Sequence, residues 1–233
     1  MSVVCGETYA GARILDAMRS APRYSDAIYE LVRGAFRSSD HPILEFGAGD
    51  GAFVERFLRD GTQVGCVEPD LTSQAALKRL VPKVVVDIAD CEADRYGFAY
   101  TINVLEHLSN LDRYMSDLYR VLRPGGRLFV FVPAFALLWT SLDDEVGHIQ
   151  RFTRRCLTEH LERAGLYIEE IYYFDSLGFF AALVVRSLQS LGMFKYSAGT
   201  IGFYDQIFPI SRMGDLLFSG ILGKNLIAIA SKA

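Results

Sequence analysis

Short apolar runs alternate with amphipathic stretches along most of the chain. Seven runs rich in Val, Ile, Phe and Tyr have the length of strands, and apolar residues between them recur at the spacing of amphipathic helices. Strands separated by helices predict a parallel, doubly wound α/β sheet. The predicted strands are 43–46, 63–68, 83–86, 98–102, 127–132, 167–174 and 225–231, and the predicted helices are 52–59, 72–80, 111–121 and 153–164.

Two segments depart from this alternation. The first 36 residues carry apolar side chains at helical spacing, interrupted at Pro22, and an aromatic and aliphatic insertion separates the last two strands. With 233 residues and 51% hydrophobic content, the chain can form one large core. We predict one domain over residues 1–233, with a helical lid at 1–40, a cofactor-binding core at 41–175, a cap insertion at 176–223 and the last strand at 224–233.

Composition and charge narrow the function classes. The net charge is −4 and the Lys and Arg residues are scattered, so no nucleic-acid partner is expected. The four cysteines show no pairing or metal spacing, which predicts reduced thiols, no metal site and, with no signal peptide, a cytoplasmic protein. No transmembrane segment is predicted, because Arg186 and Gln189 interrupt the most apolar stretch.

The stretch ILEFGAGDGAF joins a buried strand to a glycine-rich turn and a helix. Gly47, Gly49 and Gly51 permit a tight turn and the close approach of a ligand at the carboxyl edge of a parallel sheet. With Ala52, the pattern also fits the dinucleotide fingerprint, and Glu68 lies at the distance of a ribose-binding acid. A turn whose glycines serve packing alone is the third interpretation.

Acidic residues favour one of these interpretations. Glu45 precedes the turn, Asp50 lies within it, and Glu68 and Asp87 end the next two predicted strands. Four carboxylates around one turn would repel a pyrophosphate, whereas they suit a ligand with ribose hydroxyls, a sulfonium and an ammonium group. S-adenosylmethionine is such a ligand, and it is the predicted cofactor.

Five motifs carry a family resemblance. In order and spacing, the chain resembles class I S-adenosylmethionine-dependent methyltransferases, most clearly over about residues 42–133, and its later segments look like a bacterial small-molecule branch of them. The resemblance implies a Rossmann-like seven-stranded sheet whose last strand is antiparallel, with the cofactor across the ends of the first strands. The motifs are ILEFGAGDG, CVEPD, VVVDIAD, INVLEHL and VLRPGGRLFVFVPA.

The same resemblance implies roles for individual residues. The glycines would line the methionine part of the cofactor together with Glu45, which orients its ammonium group, and Asn103. Glu68 would accept hydrogen bonds from the ribose hydroxyls. The adenine would lie against the remaining matched positions, which are Pro69, Asp70, Asp87 and Ile88.

Position selects His148 as the candidate general base. It lies after the fifth predicted strand, at the edge where an acceptor would bind, with Asp143 and Asp144 nearby, and we take Asp144 as the second candidate catalytic residue. Structural hydrogen bonding of this loop is an equal alternative for His148. Arg151 is expected to be a solvated residue at a helix start.

Acceptor contacts are expected outside the shared core. We predict O- or N-methylation of a small molecule, such as a specialised metabolite. The alternatives are a lipid-like quinone or polyprenyl acceptor, a sugar, or a catalytically inactive cofactor-binding partner protein; a homodimer is compatible with each. The candidate acceptor-binding residues are Tyr9, Arg13, Tyr24, His107, Phe135 and Trp139, although capping or packing is the simpler role for His107.

Overall fold

The protein is built around a seven-stranded mixed sheet. The computed structural model describes residues 21–194 and 198–233. The strand order is β3-β2-β1-β4-β5-β7-β6; the pairs from β3 to β5 are parallel, and β7 is antiparallel to both β5 and β6. This order confirms the predicted doubly wound sheet with an antiparallel last strand. The strands are β1 Ile43–Phe46, β2 Val64–Val67, β3 Val84–Val85, β4 Tyr96–Ile102, β5 Leu122–Pro133, β6 Leu166–Phe174 and β7 Asn225–Lys232.

Helices cover both faces of the sheet. Leu44 and Phe46 of β1 belong to one core cluster, whereas Ile43 belongs to the cluster on the other face. Because both faces are buried, β1 reads as a continuous apolar run rather than an alternating one. The helices are α1 Pro22–Ala35, α2 Ala52–Arg59, α3 Leu71–Leu77, α4 Leu111–Val121, α5 Ser141–Val146, α6 Arg154–Arg163, α7 Ser176–Ser190 and α8 Ala198–Phe218.

The described part of the predicted lid is a layer of the core. Ile28 and Val32 of α1 are fully buried, in the same cluster as Phe57 of α2 and Tyr100 of β4. The residues from 21 to 40 therefore pack on the sheet, and the lid over residues 1–40 stays a prediction. The predicted Tyr9 and Arg13 lie outside the described residues.

Three strands begin earlier than predicted: β6 by one residue, β4 by two and β5 by five. β4 begins at Tyr96 and β5 begins at Leu122, because these two residues pair with each other. A register shift follows, and the next pair is Phe98 and Arg127. The Pro and Gly residues of 124–126, interpreted from the sequence as a turn, lie inside this irregular start of β5.

The insertion forms the helix pair α7 and α8. Asp175 starts α7 by accepting from the Gly178 amide at 2.9 Å, and it also accepts from Ser211 of α8 at 2.7 Å, so one buried carboxylate joins the two helices. Many apolar side chains of the pair are exposed, among them Leu216. Within the described ranges, no helix is long and apolar enough to cross a membrane.

Candidate cofactor site and active site

The glycine turn lies at the carboxyl end of β1. Gly47, Gly49 and Gly51 all have positive φ, at 81°, 54° and 88°, where other residues are strained. A Cβ on Gly47 would lie 2.3 Å from Cγ2 of Val104, so this glycine also allows the turn to pack on the segment that follows β4. The turn therefore has the tight backbone that the sequence predicted for it, and it also packs closely on the segment after β4.

Glu68, directly after β2, braces this turn. Its Oε2 accepts from the Gly49 amide at 2.7 Å and its Oε1 from the Asp70 amide at 2.9 Å. The residue is only 3% exposed, and burial raises the pKa of its carboxyl although the two amides act in the opposite direction. Each carboxylate oxygen has a second lone pair, so Glu68 retains acceptor capacity for ligand hydroxyls.

Glu45 is a second buried acid beneath the turn. Its Oε2 accepts from the Tyr100 hydroxyl at 2.8 Å across the β1–β4 pair. Burial raises the pKa of Glu45 to about 8; the Tyr100 hydrogen bond lowers it, whereas Glu68 and Asp50 raise it. A cationic group at this turn would relieve the repulsion between these acids. The sequence pattern contained no signal for the contribution of Tyr100.

The other predicted cofactor residues follow the ends of the neighbouring strands. Asp87 accepts from Arg113 at 2.6 Å, and its pKa is lowered by the Ala89 amide and by Arg113. Ile88 is fully buried in the core, whereas Pro69 is exposed. Asn103 has a φ of 52° and directly follows β4.

This donor set fits S-adenosylmethionine better than a dinucleotide. The turn offers a close-approaching backbone, and the side chains beneath it are acids with spare acceptor capacity rather than cations that would bind phosphate. A cavity of ≈ 460 Å³ lies elsewhere, at the opposite edge beside Pro42, Gln63 and Lys83, which precede β1, β2 and β3.

His148 lies on a loop held by Asp143. Nδ1 of His148 is 2.7 Å from Oδ1 of Asp143, and the Gly147 residue between them is left-handed at a φ of 76°. Asp143 also accepts from Arg151 Nε at 2.7 Å. Although burial acts to raise the pKa of Asp143, the His148 and Arg151 hydrogen bonds hold it well below its usual range.

Two predictions for this loop need correction. The carboxylate beside His148 is Asp143, whereas the exposed Asp144 accepts from the Trp139 indole at 2.9 Å. Arg151 is not solvated, since its side chain is 10% exposed and pairs with Asp143. The left-handed Gly147 reverses the chain at the end of α5. His148 therefore meets the carboxylate of Asp143 and not that of Asp144.

Glu106 and His107 face this loop from the 3₁₀ turn Leu105–His107 that follows β4. Oε1 of Glu106 is 3.6 Å from Nε2 of His148, and Nδ1 of His107 is 3.1 Å from the Gly147 carbonyl. Burial raises the pKa of Glu106 to about 8, and burial lowers the pKa of His107. The sequence analysis gave Glu106 no role, because a single acid in an apolar motif carries no such signal.

Each of the remaining predicted acceptor residues already has a partner within the protein. Tyr24 donates from its hydroxyl to Asn225 at 2.6 Å and packs edge-on against Phe208 of α8. Phe135 stacks on Tyr173, with ring centroids 4.7 Å apart. Phe135 and Trp139 both follow β5, as His107 follows β4, so these three share the carboxyl edge, whereas Tyr24 joins α1 to the insertion.

Comparison with known proteins identifies the family of this chain. A family model described as a methyltransferase domain matches residues 18–171. A "Probable S-adenosylmethionine-dependent methyltransferase" of Mycolicibacterium smegmatis is 27% identical over 68% of this chain and 62% of its own length. A "Ubiquinone biosynthesis O-methyltransferase" of Xanthomonas euvesicatoria pv. vesicatoria is 28% identical over 55% of this chain and 64% of its own.

A solved structure supports the fold. A Thermotoga maritima protein described as a SAM-dependent methyltransferase, "possible histamine N-methyltransferase", superposes with a TM-score of 0.64 at 15% identity, over 96% of this chain and 98% of its own. The chain spans less than two thirds of the length of the curated relatives above. The family match covers more than half of the chain, and the chain therefore belongs to the methyltransferase domain family.

Proposed function

We propose that this protein transfers a methyl group from S-adenosylmethionine to an oxygen or nitrogen atom of a small molecule. The observation that carries the proposal is the glycine turn above two buried acids, Glu45 and Glu68, at the carboxyl edge of β1 and β2. Ligands of open α/β sheets bind at this edge. Among the candidate acceptors we favour a specialised metabolite.

In this proposal the two acids divide the recognition of the cofactor. Glu68 accepts from the ribose hydroxyls while its bonds to the Gly49 and Asp70 amides keep it in place. Glu45 faces the ammonium group, whose positive charge favours the ionised carboxyl. The adenine lies against four residues, which are Asp87, Ile88, Pro69 and Asp70. Asn103 lies beside the methionine part.

Catalysis then depends mainly on position. Bound S-adenosylmethionine supplies a methyl group already activated by its sulfonium. The protein holds the acceptor in line with that group and excludes water. In this proposal one wall of the acceptor space consists of Phe135, Trp139 and His107, each of which follows a strand at the carboxyl edge.

His148 is the proposed base for acceptors that must lose a proton. Its Nδ1 faces an ionised Asp143 and therefore carries the proton, which leaves the lone pair on Nε2. In this proposal Asp143 orients the ring of His148, whereas the catalytic candidate Asp144 accepts from Trp139.

A lipid-like acceptor is the second candidate, favoured by the exposed apolar surface of the insertion. Leu216, Leu217 and Ile221 are 87%, 77% and 70% exposed. Exposed apolar patches of this kind commonly bind apolar partners. A quinone or polyprenyl acceptor would suit this surface, and a sugar would not.

The test is a screen of methyl acceptors with the product mass measured. We expect a mass gain of one methylene unit for at least one phenol, amine or quinol when S-adenosylmethionine is present. Binding of S-adenosylhomocysteine without any product over small, sugar and lipid-like acceptors would instead indicate an inactive cofactor-binding partner protein. A homodimer and a cytoplasmic location remain part of the proposal, testable by light scattering and by cell fractionation.

A further inference from the structure

We propose that Glu106, His107 and His148 form a binding site for a divalent transition-metal ion. Each of the three side chains offers one ligand atom, and these atoms lie within 4.8 Å of one another. The cysteine spacing predicts no metal site, and the present ligands come from two separate segments that the fold brings together. The proposal goes beyond methyl transfer and does not depend on it.

The first argument is an unsatisfied buried carboxylate. Glu106 is fully buried, and among the described residues neither of its carboxylate oxygens has a hydrogen-bond partner. Nε2 of His148, on a side chain only 10% exposed, likewise has no hydrogen-bond partner there and points at Glu106 from 3.6 Å. Buried polar atoms are nearly always paired, and a cation between these atoms would satisfy them at once.

The second argument is the orientation of the two imidazoles. The Gly147 carbonyl can only accept, so Nδ1 of His107 carries a proton and Nε2 is the nitrogen with the free lone pair. Asp143 fixes the same tautomer in His148, because it accepts a hydrogen bond from Nδ1 at 2.7 Å and leaves the lone pair on Nε2. Metal-bound histidines typically donate their second ring nitrogen to a carboxylate or a backbone carbonyl, which is the arrangement of both rings.

Spacing and ligand type indicate the class of ion. Ligand atoms of a tetrahedral site with bonds of about 2.1 Å are about 3.4 Å apart. The 3.6 Å between His148 and Glu106 matches that value, and the 4.8 Å limit requires only small side-chain movements. Two imidazoles with one carboxylate suit Zn²⁺, Fe²⁺ or Co²⁺, whereas Mg²⁺ prefers oxygen ligands.

The location connects the site with the glycine turn. The 3₁₀ turn that carries Glu106 and His107 follows Val104, which packs against Gly47. Three protein ligands leave a coordination position for an oxygen or nitrogen of another molecule. An ion at this site takes the same Nε2 lone pair that a base would use, so His148 cannot fill both roles at the same time.

The experiment is a calorimetric and visible-absorption titration of the full chain with Co²⁺, in the absence of S-adenosylmethionine. We expect one ion per chain, with affinity at least about 10-fold weaker in the His107→Gln and His148→Gln variants. His160→Gln is the matched control, because His160 also pairs with a carboxylate, Asp112 at 2.6 Å, but on an exposed helix face. Its Co²⁺ affinity should equal that of the wild type.

Several outcomes would overturn the site. These are no Co²⁺ binding by the wild type, affinity unchanged in both histidine variants, or displacement of Co²⁺ by an equal concentration of Mg²⁺. If buried His148→Gln fails to fold, the half-buried His107→Gln carries the test, with circular dichroism to verify the fold. Because the titration contains no methyl donor, the absence of Co²⁺ binding would not contradict the proposed methyl transfer. In the same way, an acceptor screen without product would not contradict the metal site.

Discussion

Two acid-containing regions at the carboxyl edge of the sheet differ in how their carboxylates are satisfied. Beside β1 and β2, Glu68 accepts from two backbone amides and Glu45 accepts from Tyr100. Beside β4 and β5, Asp143 takes up hydrogen bonds from His148 and Arg151, whereas both oxygens of the equally buried Glu106 have no hydrogen-bond partner among the described residues.

The difference separates a braced region from one that needs a ligand of opposite charge. Glu68 is held in place by the chain itself, so its remaining lone pairs can bind hydroxyl groups with little rearrangement. Glu106 receives no such hydrogen bonds within the described residues, so a proton or a cation would stabilise its buried carboxylate. The four predictions that follow test this contrast.

The largest effect is expected at Asp143. Asp143→Asn removes the charge that pairs with Arg151 and His148 in a buried setting, so the free energy of unfolding should fall by about 3–5 kcal/mol. Urea denaturation of the wild type and the variant measures this loss. Asp144→Asn, the same change at the exposed neighbouring position, should alter stability by less than about 0.5 kcal/mol. Equal effects at the two positions would show that the buried pairing has no special importance.

A large effect on rate is expected at His148. If the acceptor needs a base, His148→Ala should lower kcat by roughly 10²–10⁴-fold with little change in the affinity for S-adenosylmethionine. The control is His160→Ala, which removes a histidine from the exposed face of α6 and should leave kcat unchanged. A near-normal rate in His148→Ala would assign catalysis to positioning alone.

The sequence predicted the local features of the two regions better than the contacts between their side chains. The strand β1, the glycine turn and the antiparallel β7 follow from apolar periodicity and family motifs, which act over short stretches of chain. The partners of His148 do not. Asp143 and Asp144 are both nearby in sequence, and only the left-handed Gly147 at the end of α5 decides between them. A glycine just after a short helical pattern is a usable signal for such a reversal.

Contacts between residues far apart in the chain could not be predicted from the sequence, for a different reason. Arg151 binds Asp143 and Tyr100 binds Glu45 because neighbouring elements place them together, and a single chain without its fold carries no trace of that proximity. The burial of α1 against the sheet is a similar case, since its apolar spacing fits a lid and a core layer equally well.

Glu68 should contribute to cofactor affinity by a moderate amount. Glu68→Ala removes hydrogen bonds to a charged group, so S-adenosylmethionine binding should weaken by about 1.5–3 kcal/mol. Calorimetry measures the affinity, and Glu55→Ala is the control, because Glu55 is a half-exposed acid on α2 that pairs with Arg59 on the same helix. Unchanged affinity in Glu68→Ala would mean that other groups hold the ribose.

The smallest effect concerns pH. The pKa of Glu45 is raised to about 8 in the folded protein, so its contribution to stability is present below its unfolded pKa and is lost as pH rises through about 8. Without cofactor, wild-type stability should fall by about 1 kcal/mol per pH unit between about 6 and about 8 more than that of Glu45→Gln. Denaturation series of both proteins test this, and parallel curves would contradict it.

The central claim is that the glycine turn and its buried acids bind S-adenosylmethionine and not a dinucleotide. Calorimetric titration of the wild-type chain with S-adenosylhomocysteine and, separately, with NAD tests it most directly. We predict saturable binding of S-adenosylhomocysteine and no measurable heat with NAD, because Glu45 and Glu68 repel a pyrophosphate. Tight NAD binding with no response to S-adenosylhomocysteine would contradict the account.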